Sequence, residues 1–194
     1  MLATSPATAT LPDFPTRAAR GSVPATGDPR LALVSADTSD LPWLRGLFRQ
    51  SRWWEIEQAG WETAMGTAFL DQQFALQHLH YVRHYPSAHY WIVTRDGIPC
   101  GRLYADLDPA RHLLIDILLD VQARGHGIGT RLLTALKASA STHGCPLDLH
   151  VQINNPDARR LYEREGFAVD GSTATHLSMR WQPITGQADP AVEL

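Results

Sequence analysis

The run RGHGIGTRLL, Arg124 to Leu133, sets glycines at alternate positions directly ahead of a helical pattern. Glycine loses more conformational entropy on folding than any other residue, so three of them at a helix start need a reason. A dinucleotide fingerprint, GxGxxG, wants its third glycine where Thr130 stands, and the strand before the run belongs to a hairpin-like series rather than an opening βαβ unit. A Walker loop needs GK[ST] after the glycines and is excluded. A plain strand-to-helix turn needs one glycine. Three, with Arg124 beside them, favour an anion cradle, in which turn N–H groups and the free N–H groups of the first helical turn converge on a phosphate.

The surrounding pattern is mixed α/β. RLALVSA predicts a strand. Ser39 and Asp40 are N-cap candidates for a helix through LPWLRGLFRQS, with Pro42 in its first turn. The aromatic segment WWEIEQAGW has no clear period. Leu70, Phe74, Tyr81 and Tyr85 predict a helix from Ala68 to Tyr85, stopped by Pro86. AHYWIVTRDGIPCGRLYADLD reads as two strands joined at Asp96-Gly97. RHLLIDILLD is a strand apolar on both faces except at Asp116. After the glycines come a helix closing near Gly144, the alternating strand PLDLHVQIN, a helix capped by Asn155-Pro156 and ending at Gly166, and two short strands in FAVDGSTATHLSMRW. The order is βααβββαβαββ.

The 194 residues, 44% hydrophobic, suit one domain over 30–183 between a Pro/Ala/Thr-rich tail at 1–29 and a second tail at 184–194. A net charge of −3 argues against a protein that coats nucleic acid. Every apolar run falls short of the roughly 18 residues of a membrane span. The two cysteines, Cys100 and Cys145, lack CxxC spacing. They read as structural thiols of a reduced, cytoplasmic protein.

Two segments together carry a family resemblance. Arg124-Gly125-His126-Gly127-Ile128-Gly129 resembles the R/Q-x-x-G-x-G/A acetyl-CoA motif of the GNAT superfamily of N-acetyltransferases. NNPDARRLYEREGF resembles that family's N-x-x-A-x-x-L-Y-x-x-x-G-F segment, with Asn155, Ala158, Leu161, Tyr162, Gly166 and Phe167 in place. The likeness runs from about Leu31 to Trp181 and is by pattern more than by residue before Ala88. It implies the GNAT fold, a mixed, mostly antiparallel sheet of six to seven strands with helices on both faces and a splayed central strand pair.

The resemblance also implies a cofactor, acetyl-CoA as co-substrate with no metal, and an acceptor, a small-molecule or peptide amine. The pantetheine arm would lie in the splay against the backbone of Ile117, Leu118 and Leu119. Arg124, Gly125, His126, Gly127, Ile128, Gly129 and Thr130 would surround the pyrophosphate, and Asn155, Ala158 and Tyr162 would line the cofactor from the other side. Amide formation from a thioester and an amine needs proton removal from the amine, a donor to the oxyanion and a proton for the leaving thiolate. The Leu119 N–H is the implied oxyanion donor. Tyr162 is the implied general acid, four residues after the small Ala158 on one helix face. Asp116 is either the base or a structural charge paired with Arg102, because a carboxylate in a buried strand needs a partner or a job. A non-catalytic acyl-CoA-binding module and a protein acetyltransferase acting on a lysine or an N-terminus are the alternatives to a small-amine enzyme. No nucleic-acid or membrane partner is expected, and a homodimer is left open.

Three further features stand outside these motifs. His78, His80 and His84 read as a polar helix face rather than a zinc site, with no third ligand or HExxH. Trp53, Trp54 and Trp61 lie where the family forms its acceptor-side wall, and core packing accounts for them equally. Arg102 and Tyr104 share one strand face.

Overall fold

Asp96 and Gly97 both have positive φ, 52° and 78°, as a two-residue hairpin turn of the favoured hand demands. They join β2 (His89–Arg95) to β3 (Ile98–Asp108). With β1 (Leu31–Ser35), β4 (Arg111–Leu119), β5 (Leu147–Gln152), β6 (Ala168–Ser172) and β7 (His176–Trp181) they form a seven-stranded sheet in the order β1-β2-β3-β4-β5-β7-β6. Every neighbouring pair is antiparallel except β4–β5. The helices are α1 (Leu41–Ala59), α2 (Thr63–His84), α3 (Ile128–His143) and α4 (Pro156–Arg164). The mixed sheet and the element order agree with the sequence pattern. This computed structural model describes residues 11–16 and 21–183. The C-terminal tail expected over 184–194 lies outside them, as do 1–10 and 17–20 of the N-terminal one.

The chain divides into two compact units, one built on α1 and α2 and the other on the sheet with α3 and α4. In the first, α1 does not stop at Ser51. It continues through the aromatic segment to Gly60, whose φ of 65° closes it. Ile56 lies two turns beyond Phe48 and is buried with it, while Trp54 is exposed, so the tryptophans mask the period rather than break it. Asp40 stands at the N-cap of α1 as expected but makes no side-chain cap bond; the turn before it, the 3-10 stretch Thr38–Asp40, is capped by Asp37. Asp37 accepts from the Ser39 N–H at 2.7 Å, and Asp40 accepts from the Asp37 N–H at 2.9 Å. On α2, Gly66, Leu70, Phe74 and His78 form the buried stripe. A Cβ at Gly66 would lie 2.2 Å from Ile56 Cγ2, so the two helices meet where only glycine fits.

His78 therefore departs from the expected polar face. It is 3% exposed, and its Nε2–H donates to the Pro12 carbonyl at 2.7 Å, with the Phe14 ring edge-on at 5.0 Å. His80 and His84 stack on each other at 4.1 Å. In the second unit, residues 21–29 also make native contacts. The Thr26 hydroxyl donates to the Leu31 carbonyl at 2.9 Å, and Asp28 lies 3.5 Å from Arg131.

The core of the second unit follows from matched periods. Ile128, Leu132, Leu133, Leu136 and Ala140 make one stripe on α3, and they pack with Leu103, Ala105 and Leu107 of β3, Leu114 of β4, and Leu147, Leu149 and Val151 of β5. His112 is the polar member at this face, 0% exposed. Its neutral form satisfies both ring nitrogens. Nδ1–H donates to the Asp108 carbonyl at 3.0 Å, and Nε2 accepts from the Ser139 hydroxyl at 2.9 Å.

Burial holds the His112 pKa below its ordinary value, helped by His143 and opposed by the Asp108 carbonyl and by the charges of Asp106 and Asp108. The unfolded chain therefore binds more protons than the native one below about pH 6.5, and stability drops as pH falls through that value. Denaturation at a series of pH values will show a decline as pH falls below about 6.5 that is shallower in His112→Gln. An equal slope in the variant assigns the decline to other groups.

Candidate functional site

Strands β4 and β5 run side by side for only three residue pairs, His112↔Leu147, Leu113↔Asp148 and Leu114↔Leu149. Beyond them, β4 continues along β3 and β5 along β7. The separation coincides with a bulge. Tyr104 pairs with Asp116 and Ala105 with Leu114, so Ile115 is the extra residue on β4. The extra residue bends the strand and reverses its side-chain parity.

The register then fixes which backbone groups face the gap. The Asp120 N–H donates to the Cys100 carbonyl at 2.9 Å, which makes Gly101↔Leu119 a non-hydrogen-bonded pair. Alternation makes Arg102↔Leu118 a hydrogen-bonded pair and Leu103↔Ile117 a non-bonded one. Ile117 and Leu119 thus turn their N–H and C=O groups away from β3 and toward the splay. Leu118 does not, since its backbone is committed to Arg102. Of the three consecutive residues named from the sequence, Ile117 and Leu119 present their backbone away from β3 and Leu118 presents it toward β3.

The glycine run divides its labour. Gly125 and Gly127 have φ of 76° and 74°, and a Cβ at either would meet nothing within 4 Å. They are glycine for the turn, beside open space. Gly129 is helical, and a Cβ there would lie 3.3 Å from Leu161 Cδ2, so it serves the approach of α4. Gly127 ends the turn without a capping side chain, and the first helical bond runs from the Arg131 N–H to the Gly127 carbonyl at 3.1 Å. The N–H groups of Ile128, Gly129 and Thr130 have no partner inside the helix. Arg124 reaches back, its Nε–H donating to the Leu119 carbonyl at 3.0 Å, and His126 Nδ1–H donates to the Arg124 carbonyl at 2.8 Å.

Tyr162 comes from α4, whose first turn is capped by Asn155 accepting from the Ala158 N–H at 3.1 Å. Its ring is 6% exposed and lies edge-on to Phe167 at 5.9 Å. Burial, and secondarily the charge of Asp116, push the phenol well above the ordinary tyrosine range. Asp116 lies on the sheet face that also carries Arg102 and Tyr104. Its Oδ2 is 2.6 Å from Arg102 Nε, so the ion pair weighed from the sequence is present.

Against this geometry, a sequence model of the acetyltransferase (GNAT) family matches residues 48–167. The chain belongs to the GNAT family. A probable N-acetyltransferase of Mycobacterium tuberculosis is 33% identical over 105 residues, which are 53% of this chain and 56% of that protein. An acetyltransferase of Agrobacterium fabrum is 39% identical over 61 residues, 31% of this chain and 44% of that one. The chain thus spans about half the length of the curated relatives it matches. Among solved structures, the PaiA N-acetyltransferase of Thermoplasma acidophilum, in complex with coenzyme A, superposes with a TM-score of 0.60 at 17% identity, over 79% of this GNAT chain and 99% of that one. Likeness at that identity establishes the fold.

One residue of the site was not picked out from the sequence. Gly101 on β3 faces the end of β4, and a Cβ there would lie 2.7 Å from the Leu118 carbonyl oxygen and 2.6 Å from Leu119 Cδ2. An isolated glycine inside a strand is the signal that marks such an approach. Gly101→Ala must displace β4 at Leu118–Leu119 and will cost about 1–3 kcal/mol by denaturant titration. A variant as stable as the parent would mean that β4 yields there without strain.

Proposed function

We propose that this GNAT protein binds acetyl-CoA and transfers the acetyl group to a primary amine by direct attack in a ternary complex. The observation that carries the reading is the splay, with the N–H and C=O of Ile117 and the N–H of Leu119 turned into it and a glycine turn at its end. Unpaired backbone inside a fold is costly unless a partner bonds to it. The pantetheine arm of coenzyme A is such a partner, and its pyrophosphate suits the uncapped start of α3. The coenzyme A bound to the structural neighbour supports the same assignment.

Acetyl-CoA supplies an activated thioester, and the chain's own groups do the rest. Ile117 and Leu119 offer backbone hydrogen bonds along the gap, and the Leu119 N–H is the donor for an oxyanion. The N–H groups from Gly125 to Thr130 hold the phosphates, with Arg124 and His126 bracing the turn from behind. Asn155 and Ala158 fix and open the start of α4. Tyr162 Oη keeps its proton across the working pH range, because burial and the Asp116 charge both oppose its loss. An amine that arrives neutral forms the C–N bond as the C–S bond breaks, Tyr162 gives its proton to the departing thiolate, and the proton the nitrogen loses restores the phenol. Asp116 enters this chemistry as a charge already engaged by Arg102.

Acetyl transfer to a panel of small amines and peptides, followed by thiol release, tests the reading. Tyr162→Phe will lower kcat by about a hundredfold or more while leaving the KM for acetyl-CoA near the parent value. The parent rate will hold through pH 10, where an ordinary phenol would lose its proton. Tight coenzyme A binding with no turnover on any amine would instead make the protein a binding module.

A further inference from the structure

We infer that Arg102 is a positioning residue for the reaction, holding the Asp116 carboxylate in one orientation at the point where β4 leaves β5. The inference rests on the acetyl-transfer reading above and goes beyond it, since that reading assigns Arg102 no part in the chemistry. Four observations carry it. Arg102 is 2% exposed, so its guanidinium has left water and must be held by protein groups. Its Cζ stands 5.3 Å from the centroid of the Tyr104 ring, which in turn packs on Tyr90 at 4.8 Å. The stack limits the rotamers open to the arginine.

The register supplies the third observation. Tyr104 lies opposite Asp116 and Arg102 opposite Leu118, which makes Arg102 and Asp116 diagonal neighbours on one face. The Nε–Oδ2 distance of 2.6 Å is the contact this placement produces. The fourth is the bulge at Ile115. It gives Asp116 its side of the sheet at the point where β4 leaves β5, beside the gap. A carboxylate there without a fixed partner could swing between the gap and the sheet face. Arg102 removes that freedom, and the negative charge stays in one place beside the gap.

The test compares the parent with Arg102→Lys, Arg102→Met and the double variant Arg102→Met with Asp116→Asn. A merely structural ion pair and a positioning residue differ in the double variant, which leaves no lone buried charge. We expect it to recover the thermal stability lost in Arg102→Met but not the kcat, which stays down by roughly tenfold to a hundredfold with the KM for acetyl-CoA unchanged. Arg102→Lys, which keeps the charge but not the guanidinium fork, should recover part of kcat. In a crystal structure of Arg102→Met the Asp116 side chain should leave its parental orientation. Parental kcat in the double variant, or an unmoved Asp116 in that crystal structure, overturns the inference. A parent that binds acetyl-CoA and acetylates no amine defeats the functional reading instead, and the orientation of Asp116 still decides the role of Arg102.

Discussion

The parting of β4 from β5 after Leu114 and Leu149 is the constraint on which the rest of the site depends. A parallel strand pair normally satisfies its backbone groups along its whole length. Here the pairing lasts three residues, and the bulge at Ile115 turns the remainder of β4 onto β3 alone. The outer N–H and C=O of Ile117 and the N–H of Leu119 then face a gap rather than a strand, while the Leu119 carbonyl is bonded to Arg124. A fold that keeps such groups needs something to bond to them, and a linear amide-bearing chain has the right chemistry.

Everything beside the gap is arranged around that opening. At one end, His112 and the α3 core stripe hold the paired part of β4 and β5 together. At the other, Arg124 ties the glycine turn back to the Leu119 carbonyl. A Cβ at Gly125 or Gly127 would meet open space just before the uncapped start of α3, while Gly129 lies close against Leu161 of α4. The same opening thus has beside it a glycine turn at an uncapped helix start, two backbone N–H groups and a buried phenol. Asp116 adds a charge that Arg102 holds in place.

Much of this is legible in the sequence because local chemistry and global fold agree. Asp96-Gly97, Asn155-Pro156 and the alternation in PLDLHVQIN each specify one structure, and the element order follows from them. What escapes a sequence reading is whatever depends on contacts across strands or helices. The bulge at Ile115 has no mark in RHLLIDILLD, so neither the length of the splay nor the opposed roles of Leu118 and Leu119 can be read there. The third glycine resembles the first two in sequence and differs from them only through Leu161. The buried setting of His78 depends on Pro12 and Phe14, more than sixty residues away in the chain. Trp53 and Trp54 obscured the second half of α1 because a helix with half-exposed aromatics loses its apolar period.

Residue-resolved amide hydrogen exchange with and without coenzyme A tests the central claim most directly. The register predicts that Ile117 and Leu119 gain protection on binding, together with Ile128, Gly129 and Thr130 at the start of α3. Leu118, already bonded to β3, should exchange slowly in both states. Unchanged exchange at Ile117 and Leu119 in the presence of saturating coenzyme A, or protection gained at Leu118 instead, would contradict the account.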